Sequence, residues 1–365
     1  MSTKADTPVV DAAAIRAAME HYDRNGWTDG LPVVPVTESY LAEFLATTTR
    51  DPDEVLFVMP HLNRHLTVRL AAINAAMAGC LPQYFPVVLA GWEALAKEPY
   101  PKKGIWQSTT GTAPLLMVNG PIRHHIGLNS KGNVFGSGFR ANATIGRAIR
   151  LAAINVFGVR PHQLDQATQA TFGKYSACIA ENEEDSPWEP FHVEHGLDPD
   201  TSAVTGLTIR SCMHIEARHT RIPEQLGRDL ADSVRRTGAL IHETTSVLIV
   251  LGPEHAKLFA AHGWSKADVR RFVYDNAINT RDELKAVGKD AISRLSRWRL
   301  PSDHPDAIPD TASTSATPER VPALNSPEAI LIAVAGADNA GVSTIIETFG
   351  PRGDAPSIAA VKDVK

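Results

Sequence analysis

The chain has 365 residues, 43% of them hydrophobic and 21% charged, with a net charge of -5 at pH 7. This composition is typical of a soluble globular protein with one large or two smaller domains, and it lacks the basic excess of a nucleic-acid-binding protein. There is neither a run of about 20 apolar residues nor an apolar signal core in MSTKADTPVV, so we expect no membrane partner and no secretion. Three scattered cysteines are too few for a disulfide framework and fit the reducing cytoplasm.

The first 50 residues predict an N-terminal helical arm. Asp11 can cap a helix from Ala12 to Arg24, which an Asn-Gly pair would end. The prolines of GLPVVPV then hold residues 31–36 extended, because proline also restricts the residue before it. A second helix is expected from Thr37 to about Thr48.

Residues 51–200 predict an α/β domain. Its expected elements are a strand at 54–59, helices at 67–79 and 84–97, buried strands at 114–118 and 175–180, a helix from Ala141 and another at 160–172. Cys80 follows the helix at 67–79. A helix C-terminus does not lower the pKa of a thiol, which favours a buried structural role for this cysteine.

A glycine-rich loop joins the strand at 114–118 to the next helix. Strand, glycine loop and helix together aim backbone N–H groups and the positive helix end at an anion. We therefore predict a substrate site formed by Asn133, Gly136, Gly138, Arg140 and Asn142. The loop matches neither the phosphate-binding loop of nucleoside triphosphatases nor the dinucleotide fingerprint, so it predicts neither ATP nor NAD. A loop that only makes a tight turn is the alternative.

An acidic run follows the strand at 175–180. Functional carboxylates commonly lie at strand ends in α/β proteins, so we predict Glu181 as a general base. Cys178, on the strand, is a second catalytic candidate, and Trp188 is a candidate substrate contact. A solvated acidic surface is the alternative, above all for Glu184 and Asp185.

A β-branched run from Ala203 to about Ile215 predicts a strand that carries several reactive side chains. The two-residue period places Cys212, His214 and Glu216 on one face, and His219 follows. We predict acid–base catalysis by His214 and His219. The candidate ligands of a metal or an iron–sulfur cluster are Cys80, Cys178, Cys212 and His214, although their spacing matches no zinc signature. Half-buried packing is the alternative.

The remaining sequence predicts scaffold, and no internal repeat is visible. Residues 201–299 form a second α/β half with helices at 223–237 and 281–298, a strand at 246–251 and a capping box between Ser265 and Asp268. Residues 300–326 predict a linker or long loop, and strands within 327–365 complete the sheet. The expected fold is α/β, with a mixed, mostly parallel sheet and helices on both faces, in one body or two subdomains.

Five long motifs, GWTDGLPVVPV, AINAAMAGCLPQYFPVV, FGSGFRANATIGRAIRL, GKYSACIAENEEDSPWEPFHV and LGPEHAKLFAAHGWSKADVRRF, resemble a widespread and poorly characterised bacterial family. Its genes often lie beside one for a small Cys-Gly-Ser-Cys protein or its selenocysteine version. The resemblance covers about residues 25–275 and implies an enzyme or enzyme subunit that acts on small molecules. Where the family reads PHNxNDH this chain reads MHIEARH, so only His214 and His219 match.

We therefore expect a cytoplasmic, homo-oligomeric hydrolase or lyase acting on a small anionic or amide-bearing substrate, with Glu181 or His214 as general base. One alternative is a thiol-redox or iron–sulfur subunit that uses the three cysteines with a small Cys-Gly-Ser-Cys partner. Another is a non-catalytic subunit that stabilises a partner. Neither a nucleic acid nor a membrane is expected to bind.

Overall fold

The computed structural model describes residues 11–98, 101–238, 245–296, 298–310, 320–349 and 357–362. Within these residues the helices are α1 (Ala12–Arg24), α2 (Glu38–Leu45), α3 (Val68–Ala78), α4 (Phe85–Lys97), α5 (Ile122–His125), α6 (Arg140–Asn155), α7 (Phe191–Glu194), α8 (Pro223–Gly238), α9 (Pro253–Ala261), α10 (Lys266–Asn276) and α11 (Arg281–Ala286). The strands are β1 (Val55–Met59), β2 (Arg64–Thr67), β3 (Ala113–Asn119), β4 (Cys178–Ala180), β5 (Ala203–Glu216), β6 (Thr245–Leu251), β7 (Ile278–Thr280), β8 (Ala291–Ser293), β9 (Arg299–Leu300), β10 (Ala307–Pro309), β11 (Arg320–Pro322), β12 (Ile330–Val334), β13 (Val342–Phe349) and β14 (Ile358–Ala360). The expected lack of a signal peptide depends on the N-terminal MSTKADTPVV, and these residues lie outside the described part of the chain.

Capping side chains start several helices where the sequence predicts them. Asp11 accepts backbone hydrogen bonds at the start of α1, and Thr37 does so at the start of α2. Ser265 and Asp268 form the predicted capping box of α10. The two helices of the N-terminal arm are therefore confirmed.

Two predicted helices are wrong. Residues 160–172 form turns and a short 3₁₀ segment, because Pro161 interrupts the run and His162 and Ala170 adopt positive φ angles of 63° and 74°. The helix predicted at 281–298 ends at Ala286, and short strands follow. The described part of 300–326 likewise contains β10 and β11 rather than a plain loop, and residues 311–319 lie outside the described part.

The predicted α/β class with a mixed sheet is confirmed. Seven strands form the main sheet in the order β12-β6-β13-β5-β3-β4, and β14 also pairs with β5. Only the β3–β4 and β6–β12 pairs are parallel, and the other four pairings are antiparallel, so the sheet is not mostly parallel. The reason is that the chain returns from β4 to β5, and from β12 to β13, without the long helical crossover that a parallel pair needs.

The topology of the sheet repeats, although the sequence shows no repeat. The first half is β4-β3-β5 and the second is β12-β6-β13, so each contains a parallel pair joined through helices and then an antiparallel strand. The antiparallel β5–β13 pair joins the halves, which makes the order symmetric about its centre. Both halves belong to one sheet that crosses the predicted boundary at residue 200.

The long helices cover one face of the sheet. α3, α4 and α6 pack on the first half, and α8, α9 and α10 pack on the second. Side chains on the opposite face come together from both halves in a single apolar cluster that includes Leu115, Leu207, Leu248, Leu331 and Ile346. The expected cover of helices on both faces is therefore replaced by an interior that the curled sheet itself encloses.

The curl brings the two edge strands together. Just after β4, the N–H of Asn182 donates to the carbonyl of Val334 at the end of β12, over 2.7 Å. The C-terminal strands complete the sheet as predicted, since β12 lies at its edge and β13 at its centre. Among the described helices, none combines the length and apolarity needed to cross a bilayer.

Candidate functional site

Three loops meet where β4 and β12 end. They are the glycine loop (127–138), the acidic loop (181–189) and the loop at 335–341. The side chain of Asn182 donates to the carbonyl of Gly336 over 3.0 Å, and the Gly336 N–H donates to the carbonyl of Ser130 over 2.9 Å. Because ligands of α/β proteins bind beyond the carboxyl ends of parallel strands, this junction is the candidate site.

A buried arginine organises the acidic loop. Arg123, 3% exposed, stands in α5 just after β3, and its guanidinium lies 2.8 Å from a carboxylate oxygen of Glu183 and 2.9 Å from one of Glu184. It also donates to the carbonyl of Glu181 over 2.7 Å. The planar guanidinium therefore fixes both the backbone and the carboxylates of the loop.

One of these carboxylates also holds a histidine. His124 Nε2 lies 2.9 Å from Glu184 Oε1, and the histidine side chain is 66% exposed. Partial burial raises the pKa of Glu184, but hydrogen bonds from Arg123, from its own backbone and from His124 outweigh burial and lower that pKa to about 2. Glu184 is thus a carboxylate at neutral pH, and Nε2 carries the proton. The Nδ1 atom of this mostly exposed side chain has no hydrogen-bond partner among the described residues.

Glu181, the predicted general base, lies in a closed network. It is fully buried and accepts hydrogen bonds from the Asn119 side chain (2.5 Å), the Phe191 N–H (2.7 Å) and the Val334 N–H (3.2 Å). Burial raises the pKa of Glu181, while Lys266 and the three donors act in the opposite direction. These contacts tie β4 to β12.

Asn142 fixes the glycine loop to the sheet. Its side chain is buried, accepts from the Asn129 N–H over 2.8 Å, and donates to the carbonyls of Asn129 (3.0 Å) and Cys178 (3.2 Å). Both protons of its amide are therefore used. The structure gives this residue a positioning contact and places none of its donors at the loop surface.

The remaining predicted loop residues are exposed. Asn133 adopts a positive φ of 62° and donates to the carbonyl of Ser137, and a Cβ on Gly136 would lie 1.9 Å from its side-chain oxygen. Gly138 has a φ of 119°. These features explain why the tight turn needs glycines, and they leave the surface of the loop accessible.

Arg140 lies at the accessible N-terminus of α6. Its Nε donates to the carbonyl of Gly79 over 2.9 Å, and the residue is exposed. Phe139, which precedes this 16-residue helix, supplies no capping side chain, so the first N–H groups of the helix have no side-chain acceptor. Arg140 therefore lies at the predicted helix end, but no contact between described residues joins it to Glu181, His214 or His124.

Other motif residues hold α6 in place. Arg147 forms a two-pronged ion pair with Asp29, at 2.8 Å for each contact. A Cβ on Gly146 would lie 2.5 Å from the Ser176 hydroxyl and 2.7 Å from the backbone nitrogen of Ala177. These contacts give several of the long motifs a packing role around one helix.

The three cysteines differ in their surroundings. Cys80 and Cys178 are buried in the core of the first half, whereas Cys212 is exposed on β5. Burial raises the pKa of Cys80 to about 12, raises that of Cys178 strongly, and also raises that of Cys212. No group of three or more Cys, His, Asp and Glu side chains in the described ranges is arranged to hold a metal ion, so the candidate ligands do not converge.

The predicted face of β5 is confirmed. Cys212, His214 and Glu216 alternate with less exposed residues, and His214 Nδ1 lies 3.2 Å from the Thr344 hydroxyl of β13. His219 follows the strand and is exposed. No hydrogen bond or ion pair between described residues joins this face to the acidic loop or the glycine loop.

Trp188 is a packing residue at the end of the acidic loop. Its ring is partly buried against the core of the second half, and its Nε1 donates to the carbonyl of Trp264 over 3.1 Å. The indole therefore anchors the loop, and no contact in the described residues directs it toward the glycine loop.

Sequence reasoning missed Arg123, His124 and Asn119. All three lie directly at or after the end of β3, in the stretch VNGPIRHH. Their position at a strand end is the same signal that pointed to Glu181, so the rule applied after β4 would also have found them.

Comparison with known proteins adds no assignment. No protein-family model matches the chain, and no curated protein matches it significantly. The family resemblance suggested by the five motifs therefore stays a prediction.

Proposed function

We propose that this protein is an enzyme that acts on a small anionic or amide-bearing substrate by general acid–base catalysis, as a hydrolase or lyase. The observation that carries the proposal is the exposed His124, whose Nε2 lies 2.9 Å from Glu184 while Glu184 is held by buried Arg123. A histidine oriented by a carboxylate that is itself fixed is the arrangement general bases use.

Each member of the network has a defined task. Glu184 keeps the proton on His124 Nε2 and stabilises the imidazolium that forms when Nδ1 accepts a proton from substrate or water. Arg123 keeps Glu184 in place. The open N-terminus of α6 and the guanidinium of Arg140 supply positive potential for an anionic substrate group.

His124 replaces Glu181 and His214 as the proposed base for reasons of geometry. Glu181 is fully buried and already accepts from three donors, so it has no access to a substrate proton. His214 is exposed, but its described contact is a strand hydroxyl, and no carboxylate of the described residues forms a hydrogen bond or ion pair with it. The imidazole of His124 is both accessible to a substrate and oriented by Glu184.

The test compares two neighbouring histidines. Purified protein is assayed against small esters, amides and β-substituted carboxylates, and the His124→Asn variant is compared with His125→Asn. His125 is exposed on the same short helix and has no partner among the described residues, so it is a matched control. We expect His124→Asn to lower kcat about 100-fold or more and His125→Asn to leave it unchanged.

The outcomes also separate the alternatives. Equal activity of the two variants would remove His124 from the mechanism, and absence of turnover across all three substrate classes would favour the non-catalytic subunit. The thiol-redox alternative gains no support from Cys80 and Cys178, because the raised pKa of each buried thiol keeps it protonated and thiolates are the reactive form.

We also propose that the enzyme works in the cytoplasm as a homo-oligomer. Phe172 is 93% exposed and Tyr175 is 60% exposed in the same short segment, which suits a surface covered by a second copy. Light scattering, which measures the mass of the protein in solution, tests the proposed homo-oligomer. A monomeric mass, or an oligomeric mass that Phe172→Asp leaves unchanged, would argue against this surface.

A further inference from the structure

A second concave site lies at the other end of α6. An open cleft of about 350 Å³ is lined by Leu62, Arg64, Asn155, Arg160, Gln163 and Leu164, together with the backbone near Gly158. Its walls are the C-terminal end of α6 and the segment that follows β1. The cleft is separate from the proposed active site, which lies beyond the N-terminus of the same helix.

The backbone at Gly158 leaves room for the guanidinium of Arg64, the first arginine of the cleft. Arg64 donates to the carbonyl of Phe157, next to the end of α6. A Cβ on Gly158 would lie 2.2 Å from Arg64 Nη1, and the φ of Gly158 is 68°. Any other residue at this position would therefore displace the guanidinium. The same hydrogen bond offsets the negative end of the helix dipole, which would otherwise repel an anion.

Arg160, the second arginine of the cleft, has a hydrogen-bond donor without an acceptor. Arg160 Nε is buried and has no hydrogen-bond partner, and the side-chain oxygen of Asn155 in the same cleft is in the same state. The guanidinium of Arg160 lies against the turn at Gly26, because a Cβ added to Gly26 would lie 3.5 Å from it. Buried polar atoms without partners are uncommon, so a ligand or ordered water is expected here.

The charge of the cleft is not balanced by protein groups. Among the described residues, no carboxylate lines the cleft and none lies within ion-pair distance of Arg64 or Arg160. Arg64 is exposed and Arg160 is partly buried. Other arginines behave differently, since buried Arg123 and the partly buried Arg147 and Arg210 each contact a carboxylate. Two guanidinium groups left without an acid in a concave site favour an oxyanion, which accepts charge-assisted hydrogen bonds from both.

We propose that this cleft binds a small organic oxyanion, with a carboxylate or phosphate head between Arg64 and Arg160 and an apolar body against Leu62 and Leu164. The amide of Gln163 at the rim can donate a further hydrogen bond to the head. The cleft lies apart from His124, so this assignment does not depend on the proposed acid–base activity.

Isothermal titration with three aromatic probes tests the proposal. Benzoate and phenyl phosphate carry the two head groups, and benzyl alcohol has a similar body without charge. We expect saturable binding of at least one anion at one site per chain, and no saturable binding of the alcohol. The anion that binds more tightly identifies the head group. Absence of saturable binding for both anions, or equal binding of the alcohol, overturns the proposal.

Matched variants locate the binding. Arg160→Met removes one guanidinium and should weaken binding about 10-fold or more, whereas Arg228→Met removes an exposed arginine on α8 and should leave it unchanged. Gln163→Glu changes only the exposed rim, so folding is preserved, and its negative charge should also weaken anion binding. Wild-type affinity in both cleft variants, or equal weakening in Arg228→Met, would place the anion elsewhere.

A final variant separates the two proposals. His124→Asn alters the proposed active site and should bind the probe anion as tightly as the wild type. Loss of probe binding in this variant would mean that the anion occupies the active site rather than the cleft, and the cleft assignment would fail while the catalytic proposal survived.

Discussion

The two halves of the sheet share a topology but carry different chemistry at their strand ends. The N–H of Glu181 donates to the carbonyl of Val118, and the N–H of Ala335 donates to that of Leu251, so these two residues occupy equivalent positions. In the first half the chain continues through charged residues bound to Arg123. In the second half it continues through small residues, Gly336 and Ala337.

The difference shows that backbone topology alone does not make a site. The first half supplies an oriented imidazole and a fixed carboxylate, whereas the second half supplies close backbone packing. A Cβ on Gly252, after β6, would lie 2.3 Å from the carbonyl of Val342. The two halves are coupled, since the buried carboxylate of Glu181 accepts a hydrogen bond from Val334 of the second half.

The largest effect should come from removing the charge at the centre of the first-half network. Arg123→Met leaves Glu183 and Glu184 without their buried partner, so we expect the free energy of unfolding to fall by about 3 to 5 kcal/mol. Its counterpart is Lys257→Met, which removes the exposed Lys257–Asp338 pair of the second half. Urea unfolding of both variants tests the contrast, and we expect no measurable change for the lysine.

Similar losses in the two variants would mean that the halves are equally dependent on charge. A small loss for Arg123→Met would show that the two carboxylates find other partners or neutralise by taking up protons, and the network would not be the rigid element that the proposed mechanism needs.

Replacing glycines by alanine should lower the free energy of unfolding by intermediate amounts. The variants compare the turn that follows β3 with the turn that follows β6. Gly120 has a φ of 81°, and a Cβ there would lie 2.4 Å from the carbonyl of Thr201. Gly120→Ala should cost about 2 to 4 kcal/mol, because it combines backbone strain with a collision. Gly252→Ala meets a collision without a positive φ and should cost about 1 to 3 kcal/mol.

Gly127→Ala is the control for strain alone. Gly127 has a φ of 66°, and a methyl group added there would meet no atom within 4 Å, so we expect a loss of only about 1 kcal/mol. Thermal or urea unfolding ranks the three variants. If Gly127→Ala were as damaging as Gly120→Ala, close packing of the first turn against Thr201 would not be the reason for its glycine.

The smallest effect should be a change in the acid dependence of stability. The pKa of Glu184 is about 2 in the folded protein against an ordinary 4.5, so its ionised form stabilises the fold. That contribution is complete above about pH 5 and is lost as the pH falls from about 4.5 to 2. We expect Glu184→Gln to be less stable than wild type at pH 7 and to converge with it near pH 2 in urea titrations.

A constant difference between Glu184→Gln and wild type across this range would show that the ion pair with Arg123 does not hold the carboxylate in the folded state. The exposed position of Glu184 screens part of the interaction, which is why this effect comes last.

The strands were predictable from the sequence because buried apolar runs are a local signal. SVLIVL predicted β6 and AILIAVAG predicted β12, both close to their observed bounds. The order of the strands in the sheet was not predictable. β13 lies between β5 and β6, and it pairs with β5 across more than 100 residues of chain, which no local pattern specifies. The segment at 160–172 was misread because positive φ angles at His162 and Ala170 leave no signature in residue type.

The site was predictable only as a region. The sequence placed acidic residues at the end of β4 and glycines after β3, and the structure brings these two loops together through Gly336, which contacts both Ser130 and Asn182. It could not tell which carboxylate is accessible, because that depends on contacts such as Glu181 with Val334, which lie 153 residues apart. Burial therefore removes Glu181 from the accessible acid–base groups, whereas Glu184, expected on a solvated surface, contacts His124.

The central place of β13 constrains how the chain can acquire its fold during synthesis. Residues 211–216 of β5 lack their partner strand until residues 342–349 have emerged from the ribosome, so the nascent chain presents an open strand edge while the more than 100 residues between β5 and β13 are made. A polypeptide released before that point would keep this edge exposed and be prone to self-association. Folding of the sheet is consequently a late event that requires the last strands to insert between elements already made.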